Sequence, residues 1–275
     1  MSYLRFIYLS FFCALISIFS FFNIIYSYYF NLYLNLNTYL YTLIISILLS
    51  IIFYFIKNNN KKFTIYSKIL TVLLGYFLLP LIISIPFYLS IYNLSLLNSY
   101  FEAISGFTST GFTIFENIKH IDQSLILWRS SSQWIGGLYF LIFLVLFFSN
   151  SQFNYKLNDL VFSEKSLNPE TNIQKVSLKV FFLYVLLTSL IFFFFIISEV
   201  RLFNGLNLSM TLISAGGFLP ANSLQQIIRT NTQEFFLIIS FLVSILNFYF
   251  VYNAFSKKNF YKEHYEDLSI LLLII

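Results

Sequence analysis

The chain has 275 residues, 59% of them apolar and only 10% charged, where a soluble domain carries about a quarter. With 22% aromatics, 37 Phe, 21 Tyr and a mean hydropathy of +0.79, it holds more apolar surface than a water-soluble globule of this length can hide. That content also excludes disorder, and the single cysteine, Cys13, excludes a disulfide framework or a cysteine-rich metal site. The net charge of +5 sits in short clusters between apolar runs, not along a stripe that could read phosphates, so nucleic acid is not an expected partner.

The composition predicts an all-α, polytopic membrane protein. Arg5 precedes a charge-free run from Phe6 to Ile56 without a small-residue cleavage site, which reads as uncleaved spans and not as a signal peptide. A spanning helix needs about 20 apolar residues. Asn31, Asn35, Asn37 and Thr38 divide the run into spans near 6–30 and 38–56. The third covers roughly 69–93, with Pro80 and Pro86 inside it, a tolerated feature where neighbouring helices satisfy the freed carbonyls. Further spans are predicted near 124–149, 176–199 and 233–255. A last apolar stretch, Leu268 to Ile275, is too short to cross a bilayer and reads as the start of another element.

Charge sidedness sets the orientation. With the N-terminus cytoplasmic, Arg5, Lys57, Lys61, Lys62, Lys68, Lys156, Lys165, Lys175, Lys179, Lys257, Lys258 and Lys262 fall inside. Lys119, Arg129, Arg201 and Arg229 fall outside, a clear positive-inside bias.

Two outer segments are unlike ordinary loops. Residues 94–115, NLSLLNSYFEAISGFTSTGFTI, and 202–228, LFNGLNLSMTLISAGGFLPANSLQQII, each begin with a short amphipathic helical stretch and break at glycine and small hydroxyl residues. Such segments suit re-entrant hairpins, since irregular backbone at membrane depth survives only inside protein or beside a watery cavity. An interfacial amphipathic loop is the alternative for either one alone. A shift of 106 residues places Asn98 on Asn204, Ser105 on Thr211, Thr108 on Ser214, Gly111 on Gly217 and Phe112 on Phe218. The flanking spans repeat in the same order, and repeated layouts in transport proteins put the substrate site where the repeats meet.

Glycine reaches backbone angles closed to other residues, so Gly111 in TSTGFT can turn successive carbonyls towards one axis. Rings of carbonyls replace the water shell of a potassium ion. The half-helix about 99–107 would aim its C-terminal, partially negative end at a cation. Thr108, Ser109 and Thr110 can brace that loop or coordinate the ion, and Ser214, Ala215, Gly216 and Gly217 offer a second loop with fewer hydroxyls. A glycine helix cap is the plainer reading of each loop by itself.

The stretch NSYFEAISGFTSTGFTIF, followed by SLILWRSSSQWIGGLYFLIFLVLF, resembles the first membrane–pore–membrane repeat of the Trk/Ktr-type potassium transporters, most closely the TrkH branch. ISAGGF resembles the filter of that family's second repeat, and the likeness runs over essentially the whole chain. The resemblance implies uptake of K+, or Na+ in some members, through one pore built from four repeats, with K+ held by backbone carbonyls at Thr110, Gly111, Gly216 and Gly217. It further implies a homodimer in the plasma membrane and a cytoplasmic nucleotide-binding regulatory subunit. The chain then divides into two leading helices (1–60), a first repeat (61–155), a second repeat (156–262) and the start of a truncated third (263–275). A complete pore would need the remaining repeats or a second copy, and a non-conducting remnant or scaffold subunit is the competing expectation.

Glu102, among apolar neighbours in the first half-helix, matches the family's FEA glutamate and is expected to brace the loop. Arg129 either snorkels to the interface beside Trp128 and Trp134 or pairs with Glu102 or Glu116. Gly136 and Gly137 predict a close helix approach. Glu116, Asp122, Lys119 and His120 read as a solvated rim, and Glu199 with Arg201 as a local ion pair. His120 and His264 fall on opposite faces, so no His or Cys cluster can hold a metal. No phosphate loop and no nucleophile–base constellation is present, so neither an enzyme nor a bound cofactor is expected.

Overall fold

A computed structural model describes residues 6–56, 65–148 and 169–245. Among them it contains eight α-helices and no strand: α1 Phe6–Tyr29, α2 Leu36–Phe55, α3 Ile65–Tyr88, α4 Leu96–Phe107, α5 Gln123–Phe148, α6 Pro169–Ile197, α7 Leu202–Ile213 and α8 Asn231–Ile245. Lys57, Lys61, Lys62, Lys156, Lys165, Lys257, Lys258, Lys262, His264, the end of the 233–255 span and the stretch from Leu268 lie outside the described residues.

Among the described residues, four stretches are long and apolar enough to cross a bilayer: Phe6–Tyr29, Tyr33–Phe55, Tyr66–Tyr88 and Ser177–Ile197. Their outward faces carry exposed Phe22, Ile44, Ile51, Phe77, Phe182 and Phe193, an apolar surface that water would not tolerate and acyl chains would. The chain is a multi-pass membrane protein. α1 and α2 form a hairpin tied by small polar groups, with Ser20 Oγ donating to the Tyr39 carbonyl at 2.7 Å and Ser10 Oγ to the Ser50 carbonyl at 2.8 Å. Asn31 turns the chain at φ 56, a left-handed conformation that asparagine enters more cheaply than most residues.

Helix α3 keeps Pro80 and Pro86 inside it but stops at Tyr88, short of the expected residue 93. A turn follows at 89–95, with Asn93 at φ 48. Asn35 staples this end of the bundle: its Oδ1 accepts from Ile91 N at 3.3 Å and its Nδ2 donates to Asp122 Oδ2 at 3.0 Å. Asp122 also accepts from Ser124 Oγ at 3.0 Å, so it fixes the entry to α5 and is not part of the solvated rim.

Helix α5 lies at the centre. Every residue from Ser124 to Gly136 is buried, on all sides of the helix, including Arg129 through Gln133. It packs against α1, α3, α4, α6 and α7. A helix wrapped by others can carry a polar run that a lipid-facing one cannot. This excludes the aromatic-belt alternative. Trp128 is buried and donates its indole N–H to the Ile83 carbonyl at 3.0 Å, and Trp134 donates to Thr188 Oγ1 at 3.0 Å.

Candidate functional site

The two short helices α4 and α7 have twelve residues each and are offset by 106 in number. Ser95 caps α4 by accepting from Asn98 N. Both helices end in the same way. Ser109 N donates to Gly106 O at 2.9 Å and Thr110 N to Ser105 O at 3.0 Å, while Ala215 N donates to Leu212 O at 3.0 Å and Gly216 N to Thr211 O at 2.9 Å. This paired pattern is the Schellman stop, with its left-handed residue at Ser109 (φ 56) in one loop and Ala215 (φ 52) in the other. Glycine next takes positive φ in each, Gly111 at 77° and Gly217 at 81°. The sequence places the break at glycine and small hydroxyl residues, with Gly111 expected to turn the carbonyls. The residue that bends first carries a side chain, which composition could not reveal.

Hydroxyls then close each loop. Ser105 Oγ donates to Phe112 O at 2.6 Å, and its counterpart Thr211 Oγ1 donates to Phe218 O at 2.7 Å. Thr108 Oγ1 and Ser214 Oγ return to the carbonyls of Ile104 and Met210, at 2.7 and 2.9 Å. Thr110 Oγ1 lies 3.1 Å from both Ser105 O and Ser105 Oγ. Among the described residues, the carbonyls of Thr108, Ser109, Thr110, Gly111, Ser214, Ala215 and Gly217 accept no hydrogen bond. Gly216 O is different, because it accepts from Gln133 Nε2.

The loops meet backbone to backbone. A Cβ built on Gly111 would stand 2.6 Å from Gly216 O and 3.4 Å from Gly217 Cα, and one on Gly217 would stand 3.8 Å from Gly111 Cα. Thr108, Thr110, Ala215 and Gly217 are exposed.

Different side chains hold the two loops from behind. In the first, Glu102 is fully buried and accepts from Thr113 Oγ1, Ile114 N and Arg129 Nε, the last at 2.8 Å. Of the alternatives for Arg129, pairing with Glu102 is the one observed. Its Nη2 also donates to Thr113 Oγ1 at 3.0 Å, and the guanidinium lies over the Phe218 ring at 4.2 Å and the Phe115 ring at 5.6 Å. Such a stack stabilises a desolvated cation by about 2 kcal/mol. In the second loop the position of Glu102 is filled by Leu208, and Gln133 does the bracing. Its Oε1 accepts from Phe218 N at 3.2 Å and lies 2.9 Å from Thr211 Oγ1, whose one proton it shares with the Phe218 carbonyl. Gln133 was not singled out from sequence. Its place one turn beyond Arg129 on the same helical face was the available signal.

The glycines of α5 receive both helix ends. A side chain on Gly136 would strike the Phe107 backbone and one on Gly137 would strike Ser214, which bears out the predicted close approach. Further out, Asn222 Oδ1 accepts from Ile118 N and its Nδ2 donates to Asn117 Oδ1, each at 2.8 Å. Lys119, His120 and Glu116 are exposed as expected. No ion pair joins Glu199 and Arg201: Glu199 occupies the left-handed turn after α6 (φ 59), and Arg201 lines a cavity instead. Among the described residues no three His, Cys, Asp or Glu could share a metal.

No family model matches the chain. Over 141 residues it is 32% identical to an uncharacterized cation transporter of Methanocaldococcus jannaschii, covering 50% of this chain and 29% of that one. Over 55 residues it is 44% identical to the Trk system potassium uptake protein TrkI of Halomonas elongata, covering 20% and 11%. The crystal structure of the potassium transporter TrkH from Vibrio parahaemolyticus superposes with a TM-score of 0.77 over 98% of this chain, at 17% identity. The chain is similar in fold to TrkH over nearly all of its length, and in sequence to cation and potassium transporters over part of it. It spans 56% of the TrkH chain and less than a third of either sequence relative, so it corresponds to a part of what those proteins contain.

Proposed function

We propose that the chain forms part of a pathway for K+, or another alkali cation, across the plasma membrane. The segments after α4 and α7 are its re-entrant filter loops, and the N-terminus faces the cytoplasm. One observation carries this reading. Two loops 106 residues apart share their hydrogen bonds and left-handed angles, and approach each other with several carbonyls that no described donor satisfies. Unpaired carbonyls on two adjoining loops suit a dehydrated cation, and the C-terminal ends of two helices add partial negative charge. Thr110, Gly111, Gly216 and Gly217 are the proposed ligating positions, with one lone pair of Gly216 O already engaged by Gln133. Thr108, Ser109, Ser214 and Ala215 shape the loops, and Glu102 and Arg129 support the first.

Two loops supply half of a fourfold filter. The pore is completed by further repeats or by a second copy, and a homodimer with a cytoplasmic nucleotide-binding regulator belongs to the same proposal. Transport down the electrochemical gradient needs no covalent intermediate and no cofactor.

The test is Rb+ uptake and K+-dependent growth in uptake-deficient cells carrying the complete gene. Gly111→Ala places a methyl against Gly216 O at an unfavourable φ, whereas Gly217→Ala meets only the φ penalty. Loss of flux or of K+ preference is expected for both, the first more severe. Unchanged uptake and selectivity in both variants would sink the filter assignment. Absence of flux in the wild type, with the protein inserted and folded, would favour a non-conducting scaffold.

A further inference from the structure

Four cations lie on the end of the bundle where α5 and α7 begin: Lys119, Arg129, Arg201 and Arg229. Arg129 is consumed by Glu102. The other three all line one cavity of about 380 Å³, together with Gln123, Asn204 and Gln226. Among the described residues no acidic side chain lines it, and no carboxylate forms an ion pair with any of the three. Three exposed cations facing one cavity, none in a described ion pair, make it a favourable place for an anion. Below this cavity, towards the middle of the bundle, an apolar groove of about 630 Å³ runs between α1, α5, α6 and α7, walled by Ile25, Leu127, Phe181, Val185, Leu206 and Met210.

The two spaces share a wall. Tyr26 lines the groove, donates its hydroxyl to Gln123 of the cavity at 3.0 Å, and packs on Phe203 of the cavity with ring centroids 5.9 Å apart. Leu127 lies one turn along α5 from Gln123, and Leu206 one turn along α7 from Phe203 of the cavity. A cationic chamber opening into an apolar trough matches a molecule with an anionic phosphate at one end and a hydrocarbon chain at the other.

We infer that this is a binding site for an anionic phospholipid. Its phosphate is held by Lys119, Arg201 and Arg229, and one acyl chain lies in the groove against α1 and α7. Arginine forks suit phosphate oxygens, and the amides of Gln123, Asn204 and Gln226 can take a glycerol headgroup. The lipid would fill the seam between the leading helices and the second loop's helix, from which α7 projects Ser214 to Gly217. The inference requires only that the protein sits in a membrane, and it stands whether or not the loops conduct.

The test is lipid retention by the full-length protein, purified in detergent, supplied with phosphatidylglycerol or phosphatidylcholine and examined by native mass spectrometry. Phosphatidylglycerol should be retained at least tenfold better. Lys119→Gln/Arg201→Gln/Arg229→Gln should lower its retention about a hundredfold, roughly fivefold per cation. Arg201→Gln and Arg229→Gln alone change exposed side chains and keep the test valid if the triple variant is poorly folded. Leu206→Trp, which fills the groove, should also release the lipid. Equal retention of both lipids, a triple variant that still prefers phosphatidylglycerol, or an ineffective Leu206→Trp would each overturn the inference. Displacement of the lipid by millimolar inorganic phosphate alone would do so too, by making this a small-anion site. A stable dimer that excludes lipid from the groove would place a second copy there and equally refute it.

Discussion

Separating Glu102 from Arg129 provides the sharpest test of how the first loop is held. The two side chains are 0% and 1% exposed, 2.8 Å apart, with no water-facing escape for either charge. Glu102→Gln leaves the guanidinium buried above Phe218 without its counter-ion. Arg129→Met leaves a buried carboxylate with two donors, Thr113 and Ile114, and no cation. Removing one partner of a buried pair costs about 3–5 kcal/mol. If the changes were independent, the double variant would lose about 6–10 kcal/mol, the sum of two such penalties. It should lose much less, because the amide introduced by Glu102→Gln keeps the Thr113 and Ile114 bonds and the thioether introduced by Arg129→Met fills the space under the Phe218 ring. The expected coupling is about 2–3 kcal/mol in favour of the double variant. Denaturant unfolding of the detergent-solubilised protein, followed by tryptophan fluorescence, measures it locally, since Trp128 adjoins Arg129 and Trp134 lies on the same buried helix. Additivity within about 0.5 kcal/mol would refute the argument that the pair is one electrostatic unit.

Gln133→Leu should act on the second loop alone, leaving Phe218 N without an acceptor and Gly216 O without its donor. The expected loss is about 2–4 kcal/mol, the cost of a stranded buried group plus a hydrogen bond, read by the same unfolding assay, with a drop in Rb+ over Na+ preference in the uptake assay. Ser109→Gly and Ala215→Gly relieve left-handed backbone at positions whose side chains are not buried. Each should raise stability by roughly 0.5–1 kcal/mol, the left-handed penalty less the extra chain entropy, and a fall in stability would contradict the assigned angles. Gly136→Leu has no room against the Phe107 backbone and should prevent α4 from docking, which limited proteolysis of the 108–122 segment would detect.

Helix placement was legible because apolar run length and polar interruptions report on the same variable, the need to keep backbone polar groups out of lipid. The repeat was legible for a related reason: Gly111 and Gly217, with their flanking hydroxyls, are the residues a reversing backbone requires. What sequence hid was burial. Trp128 and Trp134 look like interfacial anchors when α5 is read as an ordinary span, and only the packing of five helices around it turns them inward, whereas pairing of Arg129 with Glu102 was legible as one alternative. Gln133 was hidden by the same misreading, since a glutamine in a lipid-facing span suggests nothing, while one in a fully buried helix must find partners. Helix α3 also ended earlier than its hydropathy suggested. Its apolar residues Leu89 and Ile91 continue past the helix into a turn held by Asn35.

The bracing also makes the two loops mechanically dependent. Glu102 and Thr113 hold the first loop, yet the guanidinium of Arg129 that they orient supports Phe218 of the second loop. Gln133, one turn further along α5, reaches Thr211, Gly216 and Phe218, all in the second repeat. A further turn on, Gly136 and Gly137 seat the ends of both short helices. One face of α5 therefore sets the height of α4, the height of α7 and the direction of the Gly216 carbonyl. The corresponding phenylalanine of the first loop, Phe112, has no such support and is 70% exposed, whereas Phe218 is 2% exposed. If every loop in a ring leans on the helix of its predecessor, that exposed ring marks the side on which the next neighbour of the first loop must sit. It also explains why two loops with near-identical backbones need not share their supporting side chains.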